Sequence, residues 1–220
     1  MAEKEGGVGA MVDQNQLIPE SVQSKVLPAK ISIPAVHYDY DFQKWQTYFV
    51  MSSSNEKIVK RSHGLALEAN GDGYGPQFTY GETMSAPGLV SAATAAIGMG
   101  IGGAALTVGP LRRFIQNRFM HAPGEGPSDS LSIVLPENVE GSSEEAKPVR
   151  ALAVIQGGDP GYAETCRYLV EGALCLVKSE DQIRNENKVK GGVLTPAHAF
   201  GQILVRRLQD RNVNLTVSKL

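Results

Sequence analysis

The stretch Arg150-Ala-Leu-Ala-Val-Ile-Gln156-Gly-Gly-Asp-Pro-Gly161 joins an aliphatic run to a turn, and it decides how the last third of the chain folds. The run has the length and composition of a buried β-strand, and glycine, aspartate and proline end it with turn chemistry. A helix is expected next, because apolar residues recur at three- and four-residue steps from Ala163 to Val177. This spacing predicts one continuous apolar stripe that faces a core.

A second helix and a closing strand complete this segment. Thr195-Pro196 is typical of a helix start, since the hydroxyl can accept a free backbone N–H and proline stands where no N–H is needed. Apolar residues from Ala197 to Leu208 form a second stripe, and residues 213–217 alternate like a strand. Residues 148–217 are therefore predicted to form strand, helix, helix and strand, in that order.

Composition limits the classes of function. With 220 residues, of which 42% are apolar, the chain has room for one substantial domain with a core. A net charge of −2 gives no basic surface for nucleic acid. Cys166 and Cys175 lie nine residues apart on one predicted helix, beyond disulfide reach, which favours a reducing, cytoplasmic compartment. Residues 1–7 lack the apolar segment of a secretory signal, so the protein is not expected to be secreted.

The domain prediction divides the chain near residue 30. Residues 1–30 are predicted to be a flexible arm, and residues 31–220 a single domain. Asn55 is the predicted amino-terminal cap of a helix that reaches about Leu67, with Lys60 outside its apolar face.

The fold class predicted from these patterns is α+β, a mixed, largely antiparallel sheet with helices packed on it. Two aliphatic strands joined by the acidic, serine-rich residues 137–147 indicate an antiparallel hairpin with an exposed loop. The predicted strands lie near 31–38, 77–81, 130–135, 149–156 and 213–217, and the predicted helices begin near 55, 88, 111, 161 and 196.

A run without charged residues extends over residues 83–111. Its length would span a bilayer, and Arg112, Arg113 and Arg118 follow it as a basic collar, so a spanning helix and contact with a membrane or lipid-droplet surface are both open. Alanine and glycine dominate the run, however, which weakens any drive into lipid. The favoured interpretation is a small-residue helix packed inside the domain.

Within this run, Gly98-Met-Gly-Ile-Gly-Gly103 matches the spacing of a dinucleotide-binding loop. The preceding residues are alanine-rich rather than β-branched, Gly109-Pro110 interrupts the helix that should receive the phosphates, and no acidic residue follows before Glu125. The context therefore argues against a cofactor loop.

Other candidate sites are weak on spacing alone. The four histidines are far apart, and the metal-binding patterns Cys-x-x-Cys and His-Glu-x-x-His are missing, so no metal site is predicted. Asp159 and Thr195 are better explained as helix caps than as catalytic groups. Arg61, beside Ser62 and His63, is equally compatible with a clamp for a carboxylate or phosphate and with a solvated side chain.

Six ordered blocks of sequence resemble saccharopine dehydrogenase-like oxidoreductases. The first three contain Trp45-Gln-Thr-Tyr-Phe-Val-Met51, Asn55 with Ile58-Val-Lys-Arg-Ser62, and Tyr74-Gly-Pro-Gln-Phe-Thr-Tyr-Gly-Glu82. The others are Pro123-Gly-Glu-Gly-Pro-Ser128, Gly158-Asp-Pro-Gly-Tyr-Ala-Glu-Thr165 and Gly191-Gly-Val-Leu-Thr-Pro-Ala197. Together they cover the chain from about Leu17 to its end.

The resemblance implies a two-domain oxidoreductase in which an amino-terminal Rossmann domain binds NAD(P) and a second α+β domain dimerises and shapes the substrate site. This chain is similar only to the second domain, so no cofactor-binding residue is assigned to it. In a complete enzyme of this family, Trp45, Asn55, Arg61 and Tyr80 would face the nicotinamide and orient the substrate. Association with mitochondria, membranes or lipid droplets is also implied for some relatives.

Two hypotheses follow, and they belong to different classes. In the first, the chain is the carboxyl-terminal part of an NAD(P)-dependent oxidoreductase, seen as a fragment, a short isoform or an incomplete gene product. In the second, it is a non-catalytic, truncated family member that dimerises or associates with a membrane or lipid droplet. Because the apolar face that a missing partner domain would cover is left exposed, either dimerisation, as a homodimer, or aggregation is expected.

Overall fold

A computed structural model describes the chain in seven segments and divides it into two compact units, Met1–Met120 and His121–Leu220. The described residues are 15–26, 34–75, 78–119, 133–141, 149–159, 161–187 and 191–219. The predicted α+β class is confirmed, since helices and antiparallel sheets occur in both units. The strands form two three-stranded sheets rather than the single sheet predicted.

Unit 1 is built on an antiparallel sheet with the strand order β1-β2-β3. Its elements are β1 (Val36–Asp39), β2 (Lys44–Tyr48), α1 (Ser52–Asn70), β3 (Thr83–Ala86), α2 (Leu89–Thr107) and α3 (Gly109–Phe119), preceded by a 3₁₀ turn at Gln23–Lys25. The predicted strand near 77–81 is wrong, because the pairing with β2 begins only at Thr83. The second strand of the sheet coincides with the aromatic run around Trp45.

Part of the predicted arm packs in unit 1. Ile18, Val22 and Val26 form a buried cluster against Leu67 of α1. A Cβ on Gly64 would lie 2.9 Å from Ile18 Cγ2, so glycine is what allows this close approach. The domain boundary near residue 30 stays a prediction.

α1 differs from its prediction in both its start and its buried face. The helix begins at Ser52, so Asn55 lies inside the first turn and does not cap it. Lys60 and His63 are buried, whereas Ile58 is exposed. Burial lowers the pKa of Lys60, and the nearby Glu56 carboxylate opposes that shift. The face of α1 was mispredicted because the polar side chains find partners inside the unit.

α2 contains all of the glycine-rich run. Gly98 to Gly103 lie inside this helix, so they do not make the turn between strand and helix that a dinucleotide loop requires. Ala92 is fully buried where α2 packs on the sheet. The expectation of a helix packed inside the domain is wrong for the opposite face, where Val90, Ile97 and Ile101 are exposed.

Unit 2 confirms the predicted order of strand, helix, helix and strand. β4 (Ile133–Gly141), β5 (Val149–Gly157) and β6 (Asn214–Lys219) form an antiparallel sheet with β5 in the centre, which confirms the hairpin. The helices are α4 (Ala163–Lys178), α5 (Pro196–Phe200) and α6 (Gln202–Gln209), and a helical turn at Glu180–Gln182 leads into a π-helical turn at Ile183–Asn187. The loop predicted at 137–147 lies partly outside the described residues.

The helix caps of unit 2 were predicted with mixed success. The Thr195 hydroxyl accepts the His198 N–H at 3.4 Å, and Pro196 is the first residue of α5, as predicted. Asp159 accepts the Tyr162 N–H at 2.7 Å, which closes the turn just before α4 rather than capping the helix itself.

α4 exposes the stripe that was predicted to be buried. Leu169, Val170 and Val177 are exposed, while Glu164 and Glu171 are buried. Glu164 accepts the Gly158 N–H at 2.8 Å and pairs with Arg167. Glu171 forms ion pairs with Arg207 at 2.7 Å and Arg211 at 3.1 Å, although the contact of its Oε2 with Arg207 lacks hydrogen-bond geometry. Cys175, Ile183 and Ile203 form the core. The two cysteines are unpaired, as expected.

Candidate functional site

Two of the predicted site residues, Asn55 and Tyr80, meet at a third residue, Glu82. One oxygen of the Glu82 carboxylate, Oε2, accepts a hydrogen bond from Asn55 Nδ2 at 2.9 Å. The other, Oε1, accepts a short hydrogen bond from the Tyr80 hydroxyl. We call Asn55, Tyr80 and Glu82 the tyrosine–carboxylate cluster.

Local geometry explains how these side chains come together. Tyr80 and Glu82 lie two residues apart in the segment that leads into β3, and their direct hydrogen bond places both side chains on one side of it. Asn55 joins them because the first turn of α1 lies beside this segment. All three side chains are half-buried, so the cluster is held by the unit and is still reachable from solvent.

The cluster has the composition of a proton-transfer site. A phenol carries one dissociable proton, and a hydrogen bond to an ionised carboxylate orients it strongly. The Asn55 amide restrains the second carboxylate oxygen, so the position of the phenol depends on both partners. In the structure that single proton is donated to Glu82, so delivery to a substrate requires the Tyr80 hydroxyl to turn from Glu82 to the substrate atom.

Glu82 was not among the predicted site residues. It stands inside the block that ends at Glu82, and its two-residue spacing from Tyr80 was the signal that could have identified it. The pairing with Asn55, 27 residues earlier, has no comparable signal, because it depends on how α1 packs beside β3.

Trp45 is separated from the tyrosine–carboxylate cluster. It pairs with Ala86 at the far end of β3, whereas Glu82 precedes the near end, so about 13 Å of chain lies between them. The Trp45 ring meets the Tyr38 ring edge to face, with centroids 5.4 Å apart. It borders an open groove of about 450 Å³, whose other lining residues are Tyr38, Gln43, Lys44, Ser85, Ala86 and Pro87.

Arg61 contacts the amino-terminal segment instead of the cluster. Its guanidinium donates a hydrogen bond to the Leu17 carbonyl at 2.7 Å. The side chain therefore ties residues 15–26 to α1. This contact supports a structural role more directly than either role considered from the sequence.

His63 is the centre of a second polar and aromatic group in unit 1. Its Nδ1 accepts the Tyr74 N–H at 3.0 Å, and its ring packs against Tyr74 and Phe78, which also contact each other. Burial lowers the pKa of His63 and raises the pKa of the Tyr74 phenol. His63 is thus a hydrogen-bonded histidine, as predicted, and its neutral form fits the structure.

Two further findings concern metal binding and a membrane-spanning helix, which were both considered from the sequence. Within the seven described segments, no three His, Cys, Asp or Glu side chains are grouped as metal ligands. In the same segments, none of the helices combines the length and the apolar character needed to cross a bilayer.

Comparison with known proteins gives relatives of one name. A Mycobacterium tuberculosis protein (strain H37Rv) provisionally named trans-acting enoyl reductase Rv2449c is 34% identical over 183 residues. A trans-acting enoyl reductase of Mycobacterium ulcerans is 33% identical over 182 residues, and one of Mycobacterium bovis is 30% identical over 182 residues. No family model and no solved structure matches the chain.

The alignments cover most of the present chain but a smaller share of each relative. Each alignment covers 80% of the present chain and 42% of the relative, so the chain spans less than half the length of the curated relatives it matches. These relatives are named enoyl reductases, so the assignment to a saccharopine dehydrogenase-like domain is wrong. The alternative of a non-catalytic, membrane-associated remnant finds no support either. The matches show a chain similar to trans-acting enoyl reductases over four-fifths of its length.

Proposed function

We propose that this chain is part of an enoyl reductase that works in trans, on an unsaturated acyl group presented by a separate enzyme. The observation that carries the proposal is the similarity over 80% of the chain to proteins with this name. The tyrosine–carboxylate cluster supports it, because such a reduction needs one proton donor held close to the acyl group.

The chemistry assigns a role to each member of the cluster. Reduction of an α,β-unsaturated thioester adds a hydride to the β-carbon and a proton to the α-carbon. Tyr80 donates that proton, and its phenolate then takes a proton from solvent. Glu82 and Asn55 position the hydroxyl, so they are positioning residues rather than catalytic ones.

The hydride of such a reduction comes from a reduced nicotinamide coenzyme, so the proposed function implies NAD(P)H. The described residues do not fit that group. Both sheets are antiparallel, so the described part of the chain has no parallel strand–helix–strand unit, and Gly98 to Gly103 are helical rather than a phosphate-binding turn. The proposal therefore assigns only two roles to the described residues, which are to donate the proton and to bind the acyl group.

The test compares wild type with Tyr80→Phe in two assays on the full 220-residue chain. One assay follows NADPH oxidation with an enoyl thioester. The other follows deuterium exchange at the α-carbon of the saturated thioester, which needs no coenzyme. Tyr80→Phe should slow exchange by about 100-fold or more, since it removes the dissociable proton and keeps the ring. Tyr40→Phe, at a tyrosine that is 83% exposed, is the matched control.

The outcomes separate the proposal from its alternatives. Exchange by wild type and by Tyr40→Phe, lost in Tyr80→Phe, supports the assignment. A wild-type chain that neither oxidises NADPH nor accelerates exchange overturns the proposed function. Equal exchange by wild type and Tyr80→Phe overturns the role of Tyr80.

A further inference from the structure

The outward face of α2 carries a regular apolar stripe, which we call the α2 stripe. Its members are spaced four, three, four, three and four residues apart, all are exposed and all but Thr94 are apolar: Val90, Thr94, Ile97, Ile101, Ala104 and Val108, of which Val108 is the residue directly after the end of the helix. Val90, Ile97 and Ile101 are 76%, 62% and 66% exposed. Alternating steps of three and four are the spacing of a helix-pairing seam.

The stripe lies opposite the face that packs on the sheet of unit 1. At 100° per residue, Ala92 is turned by well over 90° from the centre of the stripe, and Ala92 is fully buried. The inner face of the helix therefore packs on the sheet, and the described residues of unit 1 leave the stripe uncovered. Apolar exposure on this scale marks an interaction surface.

We infer that the α2 stripe is the interface with a second copy of this chain, with the two α2 helices antiparallel. The spacing is the same in both directions, so a two-fold axis midway between Ile97 and Ile101 brings each member opposite another member. Ile97 then faces the partner's Ile101, and Val90 faces the partner's Val108. Thr94 faces the partner's Ala104, so a small side chain always meets a small one.

The flanks of the stripe share this symmetry. Gly98 and Gly100 lie on either side of the central isoleucines, and the same axis places each opposite the other in the partner. Neither has a heavy atom within 4 Å of a Cβ built on it, so the helix surface is open there. Small residues beside the seam allow two helices to approach closely, and a self-complementary patch is what a two-fold interface requires.

Charge favours the antiparallel arrangement. Residues 83–111 carry no charged side chain, so pairing the stripe desolvates no ion. Arg112 and Arg113 follow at the carboxyl-terminal end. A parallel pair would bring four arginines together, whereas an antiparallel pair separates the two sets by roughly the 28 Å length of the helix.

The four large apolar members supply most of the area. Covering the exposed surface of Val90, Ile97, Ile101 and Val108 would bury roughly 400 Å² on each copy, or about 800 Å² in total. Specific interfaces begin at about 1,000 Å², so Thr94, Ala104 and the flanking glycines complete the contact. The alternative partner for the α2 stripe is the exposed apolar stripe on α4. The spacing of that stripe is not the same in both directions, unlike the spacing on α2.

The first test is the mass of the full chain in solution. Wild type should sediment at twice the 23.5 kDa chain mass. Ile97→Glu should weaken dimerisation by about 100-fold or more, because it buries an unpaired carboxylate against the partner. Val177→Glu, at another strongly exposed apolar helix position, should leave the mass unchanged. The double variant Ile97→Glu/Ile101→Lys should restore the dimer, because opposite charges then face each other across the axis.

The second test identifies which residues of the two α2 helices face each other, and it needs no variant that weakens the dimer. In a Cys166→Ser background, a mixture of Ile97→Cys and Ile101→Cys chains should form mixed disulfides faster than either chain forms disulfides with itself. A wild-type monomer, a dimer that Ile97→Glu leaves intact, or preferred disulfides between two Ile97→Cys chains would each overturn the inference. If wild type is a monomer and the substitution Ile97→Glu lowers its unfolding midpoint, the stripe packs within its own chain instead.

Discussion

At the scale of single residues, His63 links burial to pH. Burial makes its imidazole harder to protonate in the folded protein than in the unfolded chain, where the ordinary pKa is 6.5. Below that value the unfolded state therefore binds more protons, and the stability conferred by neutral His63 is lost as the pH falls towards the lower pKa of the folded state. Protonation of Nδ1 would also break the bond from the Tyr74 N–H.

We expect the urea midpoint of unit 1 to fall between pH 7 and pH 5 in wild type, and to fall less in His63→Asn. The amide oxygen of that variant can still accept the Tyr74 N–H, but the variant cannot take up a proton. Since the smaller side chain also weakens packing with Phe78, the comparison uses the slope against pH and not the midpoint itself. Equal slopes would contradict a role for His63.

At the scale of elements, the ends and interiors of helices place opposite demands on glycine. Gly71 ends α1 with a φ of 85°, and its N–H bonds the Leu67 carbonyl at 2.9 Å. Gly103 lies inside α2, away from the α2 stripe, and a Cβ there would have no heavy atom within 4 Å. Neither position is crowded, so backbone conformation alone decides the effect of adding a methyl group.

The substitution Gly71→Ala should lower the free energy of unfolding by about 1 kcal/mol, because an L-residue is strained at this positive φ. The matched substitution Gly103→Ala should raise it by about 0.5 to 1 kcal/mol, because alanine loses less backbone entropy in a helix. Urea unfolding followed by circular dichroism measures both. Two changes of the same sign would contradict the assigned conformations.

At the scale of the whole molecule, each unit has a core of its own. Ile18, Val22 and Val26 serve unit 1, and Cys175, Ile183 and Ile203 serve unit 2. The chain has a single tryptophan, Trp45, which lies in unit 1. Its fluorescence therefore reports one unit, while far-ultraviolet circular dichroism reports both.

Ile203→Ala should destabilise unit 2 by about 2 to 4 kcal/mol, since it leaves a cavity at a nearly inaccessible site. We expect the variant to shift part of the circular dichroism transition and to leave the fluorescence transition of Trp45 in place. Leu65→Ala, in unit 1, is the control and should shift the fluorescence. Transitions that move together in both variants would show a single cooperative unit.

The sequence by itself determined the local structure wherever short-range chemistry decides it. The hairpin of β4 and β5, the start of α5 at Thr195-Pro196 and the α+β class follow from neighbouring residues, whose spacing acts through the backbone. Gly98 to Gly103 are helical and do not form a dinucleotide-binding loop, and this was predictable for the same reason, since the flanking residues favour a helix.

Only the tertiary structure decided which faces are buried and which side chains meet. Glu164 and Glu171 of α4 are buried beside the Gly158 N–H and the guanidinium groups of Arg167, Arg207 and Arg211, and the apolar side of the helix is left exposed. Glu82 joins Asn55 to Tyr80 across 27 residues in the same way. Burial and hydrogen bonding depend on partners that are distant in the chain, and residue spacing carries no information about them.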